Sequence, residues 1–207
     1  MRKVVVGISA TLLAVAYPVV VSVGLKHWAV SRLALLIAAA AVFGAALRWL
    51  AGSKGLGSLL VPPTLVAVLA SMASWQGDAR WLLALPSLVN IGLLISFGQS
   101  LWLSPPLVER FARLVERELS TAQVAYCRQV TRVWCGFFIV NAGISGLLAW
   151  RGPMNWWVAY TGLISYVLVG SLMAGEYVFR KWRFQKFGAG LHDRFLAFFL
   201  APRAPRP

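Results

Sequence analysis

Long apolar runs separated by short polar breaks dominate the pattern of this chain. A helix that crosses a membrane needs about 20 mostly apolar residues. Six stretches approach or exceed that length: Val4–Leu25, Trp28–Leu50, Gly57–Trp75, Trp81–Leu103, Thr131–Trp150 and Trp156–Arg180. The pattern predicts an all-α, polytopic transmembrane helix bundle with about six spans. Pro86 should interrupt the fourth helix, because proline has no N–H to donate.

The first run also resembles a cleavable signal peptide. Basic residues Arg2 and Lys3 precede it, and the small residues at 14–16 resemble a cleavage site. The apolar run nevertheless continues to Leu25, which makes it long enough to span a bilayer. We therefore expect a retained first helix, with cleavage as the alternative.

One segment, residues 105–119, has the pattern of an amphipathic helix. At about 100° per residue its side chains divide into two arcs. The apolar arc holds Leu107, Val108, Phe111, Leu114, Val115 and Leu119, whereas the charged arc holds Glu109, Arg110, Arg113, Glu116 and Arg117. Glu109 and Arg113 form an i,i+4 pair, and Glu118 falls on the apolar arc. We predict an interfacial helix between spans 4 and 5. In the alternative, the apolar arc packs on the protein's own cytoplasmic face.

A second helix is predicted to begin directly after this segment. Ser120 and Gln123 have the spacing of a capping box, which favours a helix start at Thr121 that continues into the fifth span. Four regions follow from these predictions: four spans in 1–104, a basic amphipathic linker in 105–130, two spans in 131–181 and a basic cytoplasmic tail in 182–207.

Composition and charge narrow the partners and the location. The chain is 59% hydrophobic and carries a net charge of +14. Nucleic acid is an unsuitable partner for so apolar a chain without a nucleic-acid-reading motif, whereas anionic lipid headgroups attract basic segments beside spans. Sixteen of the 20 Lys and Arg lie on one side of the predicted topology, which places both termini in the cytoplasm of a bacterial inner-membrane protein.

The charged residues on that side are the predicted contacts with lipid or partner proteins. They are Arg110, Arg113, Arg117, Glu118, Arg128, Arg132, Arg180, Lys181 and Arg183.

Groups able to perform chemistry are scarce. Cys127 and Cys135 lie about two turns apart on one predicted helix, so they cannot form a disulfide with each other. No spacing typical of metal ligands, catalytic triads or phosphate-binding loops is present, so we expect no enzyme activity, metal or cofactor. The buried polar candidates are Asn90, Gln99, Asn141 and Glu176. Such residues usually join helices by hydrogen bonds, and the alternative is a polar path for a transported substrate.

The second half of the chain resembles the YciB family of inner-membrane proteins, also called intracellular septation protein A. The residues that carry the resemblance are Pro106, Leu107 and Arg110, then Arg117, Glu118 and Leu119, then Trp134, Phe137 and Phe138, and finally Asn155, Trp157 and Val158. The chain differs from the family at two polar positions. Ser145 stands where the family has an asparagine, and Thr161 stands where it has a lysine. The chain is also similar to a membrane protein that accompanies aryl-polyene biosynthesis enzymes.

The resemblance implies a non-enzymatic protein that supports cell-envelope maintenance or lipid-linked product assembly. Its partners would be anionic lipids and other inner-membrane envelope or biosynthesis proteins, including division proteins. The alternative is a subunit of a transporter or flippase for a lipid-like or polyene substrate. A scaffold would use the basic cytoplasmic side chains, whereas a transporter would use the buried polar residues.

Overall fold

A computed structural model describes residues 16–50 and 56–185, and all regular structure in these two ranges is helical. The helices are α1 (16–27), α2 (Val30–Leu50), α3 (Leu56–Gln76), α4 (Arg80–Leu83), α5 (Leu85–Trp102), α6 (Leu107–Val115), α7 (Thr121–Arg151), α8 (Met154–Ala159), a π-helical turn (Tyr160–Ile164) and α9 (Ser165–Phe184). The all-α prediction is therefore confirmed for this part of the chain. The start of the predicted first span and the tail beyond residue 185 lie outside the described residues.

Three helical stretches are long and apolar enough to cross a membrane. They are Arg80–Trp102, Thr121–Arg151 and Met154–Phe184. Two shorter apolar helical stretches, Val30–Ala46 and Thr64–Gln76, coincide with the second and third predicted spans. The helices agree with the prediction of a membrane protein.

The chain divides into two compact units. Unit 1 contains the described residues up to Ile95 together with Gly136–Ser165, and unit 2 contains Ser96–Cys135 together with the described residues from Tyr166 onward. Helices α5 and α7 therefore contribute to both units. In unit 1, α2, α3 and α4 share an apolar core of Leu33, Ala34, Ala70, Ala73 and Leu82.

The predicted interruption of the fourth helix falls at Ala84, two residues before Pro86. Because Pro86 has no N–H, it cannot donate to the Leu82 carbonyl as residue i+4 would in a continuous helix. The Tyr17 hydroxyl donates to that oxygen at 2.7 Å. Beside it, the Trp157 indole N–H donates to the Leu83 carbonyl at 3.1 Å. Side chains from α1 and α8 thus stabilise the break in unit 1.

The linker helix is shorter than the predicted 105–119. Helix α6 begins after Pro106, whose ψ of 151° is not helical, and it ends before Glu116, which adopts an extended conformation. The next helix begins at Thr121 as predicted. The Ser120 N–H donates to Gln123 Oε1 at 2.9 Å, and the Gln123 N–H donates to Ser120 Oγ at 3.3 Å. This reciprocal capping box fixes the start of α7.

Candidate functional site

Unit 1 contains a buried polar cluster centred on Asn141 of α7. The Asn141 amide nitrogen donates to Asn90 Oδ1 at 2.9 Å and to Ser165 Oγ at 2.8 Å. The Asn141 amide oxygen accepts from the Tyr160 hydroxyl at 2.8 Å and from the Ser165 hydroxyl at 3.1 Å. Both polar atoms of this side chain therefore have two partners, which is the full hydrogen-bonding capacity of an amide.

The two asparagines of the cluster lie at the same distance from one end of their helical stretches. Asn90 and Asn141 are each ten residues from the end of their apolar stretch, at Arg80 and Arg151 respectively. At 1.5 Å per residue that is about 15 Å, or half the thickness of a typical hydrocarbon core. Two of the four predicted buried polar residues are thus joined directly. The prediction for Gln99 was wrong, because its side chain is exposed.

The π-helical turn contributes to the same cluster. It contains Tyr160 and Thr161, which are both buried. Thr161 Oγ1 donates to the Trp157 carbonyl at 2.7 Å, and Ser145 Oγ donates to the Asn141 carbonyl at 2.7 Å. These hydroxyls therefore bond within their own helices. The hydrogen bond from Tyr160 to Asn141 was not predicted, because apolar periodicity does not reveal it.

The residues that carry the family resemblance occupy different environments. Trp157, Phe138 and Pro106 are buried, Leu107, Trp134 and Phe137 are half-buried, and Asn155 is exposed. Trp157 belongs to an apolar cluster of unit 1, while Trp134 of unit 2 lies 6.2 Å from the Phe97 ring. The structure does not bring these residues together in one site.

In unit 2, α6 buries polar or small side chains and exposes large apolar ones. Glu109, assigned from the sequence to the charged arc, is only 4% exposed. Its carboxylate is 2.7 Å from a terminal nitrogen of Arg113, and this ion pair offsets part of the cost of burying the charge. Phe111, Leu114 and Val115 are 57%, 82% and 93% exposed. These three residues form the part of the apolar arc that no other residue of unit 2 covers.

Six of the eight predicted basic contacts separate into two groups of three. Arg110 donates to the carbonyls of Leu103 and Pro105, and Arg128 donates to the carbonyl of Leu101. Arg113 bonds Glu109 and the Arg117 carbonyl. These three guanidinium groups therefore have intramolecular partners.

The second group is available to external anions. It contains Arg117, Arg132 and Arg183, which are exposed. The ammonium group of Lys181, another predicted contact, lies 5.4 Å from the centre of the Tyr177 ring. The predicted acidic contact, Glu118, is exposed although it falls on the apolar arc.

A groove in unit 2 lies between α7 and α9. Its volume is about 270 Å³, and its lining residues are Tyr126, Gln129, Val130, Val133, Trp134, Leu172, Gly175, Glu176 and Phe179. Oε1 of Glu176 is buried and has no hydrogen-bond partner among the described residues. The Arg180 guanidinium and the Tyr126 hydroxyl are the groups that interact with this carboxylate.

Among the described residues, no group of His, Cys, Asp or Glu is placed to hold a metal ion. Cys127 and Cys135 are both free thiols, which agrees with the prediction that they form no disulfide with each other.

Comparison of the chain with protein-family models, with curated proteins and with solved structures found no match.

Proposed function

We propose that this chain is a non-enzymatic, six-span membrane protein of the bacterial inner membrane that organises lipid and partner proteins at its cytoplasmic face. Helix α6 lies in the membrane interface, and nearby basic side chains bind anionic headgroups. In this role the protein supports cell-envelope maintenance or lipid-linked assembly, as its resemblance to the YciB family implies. The membrane-spanning helices hold this face at the bilayer surface.

The observation that carries the proposal is the orientation of α6. This helix turns Glu109 into unit 2 and leaves Phe111, Leu114 and Val115 uncovered. An interfacial helix needs such an arrangement, because its large apolar side chains enter the boundary between headgroups and acyl chains. The alternative, in which this apolar arc packs on the protein itself, loses support for these three residues.

The length of α7 supports a basic extension beyond the hydrocarbon. The helix has 31 residues, which corresponds to about 46 Å at 1.5 Å per residue. About 20 residues suffice to cross a bilayer, so roughly ten remain. If these ten lie at the N-terminal end, the exposed side chain of Arg132 comes to the level of anionic headgroups. Each such charge contributes about 1 kcal/mol of attraction.

A charge-reversal experiment tests the proposal. Arg117→Glu combined with Arg132→Glu reverses two exposed charges without removing a side-chain hydrogen bond described in the structure. After mild-detergent extraction, we expect the variant to retain roughly tenfold less phosphatidylglycerol and cardiolipin per protein than the wild type. Mass spectrometry of co-purifying lipids and proteins measures this loss.

The matched control is Arg151→Glu, which reverses an exposed charge at the other end of α7. It should leave the retained lipids and proteins unchanged. Wild-type amounts of anionic lipid and of partner proteins in the double variant would contradict the proposed function.

A further inference from the structure

We propose that the groove between α7 and α9 binds one phosphatidylethanolamine molecule. The primary ammonium donates to Glu176, the phosphate pairs with Arg180, and part of one acyl chain lies in the groove. This inference depends on the protein lying in a membrane, but it does not depend on the role of α6.

The walls of the groove suit an acyl chain. Most of the lining side chains are apolar, including Val130, Val133, Leu172 and Phe179. Sites for whole small molecules usually measure 300–1,000 Å³, so a groove of about 270 Å³ fits a section of a chain rather than an entire lipid. The occupant must therefore extend out of the groove, as a phospholipid with a second chain and a headgroup would.

One oxygen of the carboxylate in this apolar wall needs a donor. Oε1 of Glu176 is buried and has no hydrogen-bond partner among the described residues. A buried polar atom without a partner is costly, and a charged donor offsets more of that cost than a neutral one does. A primary ammonium supplies three N–H donors, whereas a choline headgroup supplies none.

The charge beside the carboxylate specifies the rest of the headgroup. Arg180 follows Glu176 by one helical turn on α9, so the two side chains lie on the same face of the helix. An acidic and a basic group one turn apart complement a zwitterion, because the ammonium and the phosphate of phosphatidylethanolamine have the opposite order of charge. Phosphatidylglycerol would match Arg180 alone.

Gly175 provides a way to block the groove. It lines the groove, and a Cβ added at this position would meet no atom within 4 Å. Gly175→Leu should therefore fill the space without displacing the backbone. Gly170 on the same helix is equally open but does not line the groove, so Gly170→Leu is the matched control.

The test is native mass spectrometry of the purified full-length protein. Phosphatidylethanolamine, phosphatidylcholine and phosphatidylglycerol with identical acyl chains are added in turn. We expect one bound phosphatidylethanolamine, with an occupancy about tenfold above that of phosphatidylcholine. Glu176→Gln should reduce this preference to about twofold or less, and Gly175→Leu should abolish the bound lipid. Gly170→Leu should bind like the wild type, and circular dichroism should show that all variants remain helical.

Several outcomes would overturn the proposal. Equal occupancy by the ethanolamine and choline lipids would show that the headgroup is not recognised through donation to Glu176. A wild-type preference in Glu176→Gln would place the ammonium elsewhere. A dimer without bound lipid would assign the groove to a second copy of the chain. Because Arg117 and Arg132 are unchanged here, failure of this test is distinct from failure of the proposed surface role.

Discussion

The polar cluster of unit 1 and the groove of unit 2 both place polar side chains among apolar helices, but they differ in how completely these are paired. Asn141 uses both of its amide atoms twice, with Asn90, Tyr160 and Ser165 as partners. Glu176 has one buried oxygen, Oε1, without a hydrogen-bond partner. Among the described residues it is the one buried side-chain nitrogen or oxygen atom that has none.

This difference separates a structural role from a binding role. The saturated Asn141 side chain has no donor or acceptor left for a substrate, so it joins helices. The polar path expected of a transporter therefore loses support at Asn141. A carboxylate oxygen without a partner can gain a hydrogen bond from a ligand, so Glu176 rather than Asn141 is the candidate ligand contact.

The largest effect is expected from Asn141→Leu, which would break the saturated cluster. It removes four hydrogen bonds and leaves Asn90 Oδ1 without the partner it has in the structure. Since buried hydrogen bonds between membrane helices contribute about 0.6 kcal/mol each, we expect a loss of about 2 kcal/mol in the free energy of unfolding. Thermal unfolding in mild detergent should show a decrease in Tm of about 4–8 °C.

The control for that variant is Asn155→Leu, because Asn155 is exposed. Its Tm should remain within about 1 °C of the wild type, as is usual for exposed substitutions. Equal decreases in Tm for Asn141→Leu and Asn155→Leu would show that the polar cluster does not stabilise the fold.

A smaller effect is expected when a paired carboxylate of unit 2 loses its partner. Arg113→Ala leaves Glu109 buried without its ion pair, since the Glu109 side chain is only 5% exposed. Breaking a fully buried pair costs about 3–5 kcal/mol, but the Arg113 side chain is 43% exposed. Solvent screening therefore reduces the expected loss to about 1.5 kcal/mol, measured by denaturant unfolding.

Arg117→Ala provides the comparison for Arg113→Ala, because the Arg117 side chain is exposed. A loss within about 0.5 kcal/mol is expected there. If both alanine variants unfold alike, the burial of Glu109 does not depend on Arg113.

The smallest effect on stability is expected at Glu176. Glu176→Gln removes no hydrogen bond at Oε1, so the free energy of unfolding in lipid-free detergent should change by no more than about 0.5 kcal/mol. Denaturant unfolding under the same conditions as for Asn141→Leu measures it. A loss as large as that of Asn141→Leu would mean that the existing interactions of Glu176 stabilise the fold and would remove the contrast between the two regions.

Much of the helical framework could be predicted from the apolar runs. The predicted spans from Trp28 to Arg180 all coincide with helices, and the capping box located the start of α7 at Thr121. These signals are local, because they depend on residues within a few turns of each other. The ends of α6 were less predictable, since the conformation of Glu116 depends on its surroundings.

The composition of the candidate sites was less accessible from sequence. Periodicity assigned Glu109 to an arc but could not show that this residue would be covered by the protein. Asn90 and Asn141 are separated by 51 residues, so one sequence gives no signal that they meet. Gln99 was taken as buried because it lies in an apolar run, yet a spanning helix also has a side that no other helix covers. The pairing of polar residues is thus a tertiary property.

The bond between Trp157 and Leu83 has a consequence for the order in which the protein is made. These residues are 74 positions apart, so ribosomes that add 5–20 residues per second synthesise Trp157 roughly 4–15 seconds after Leu83. Tyr17 exists before Leu82 and can bond it at once, whereas the indole arrives only when most of the chain is complete. The first helices can therefore enter the membrane early, but unit 1 reaches its final packing only after α8 has been synthesised.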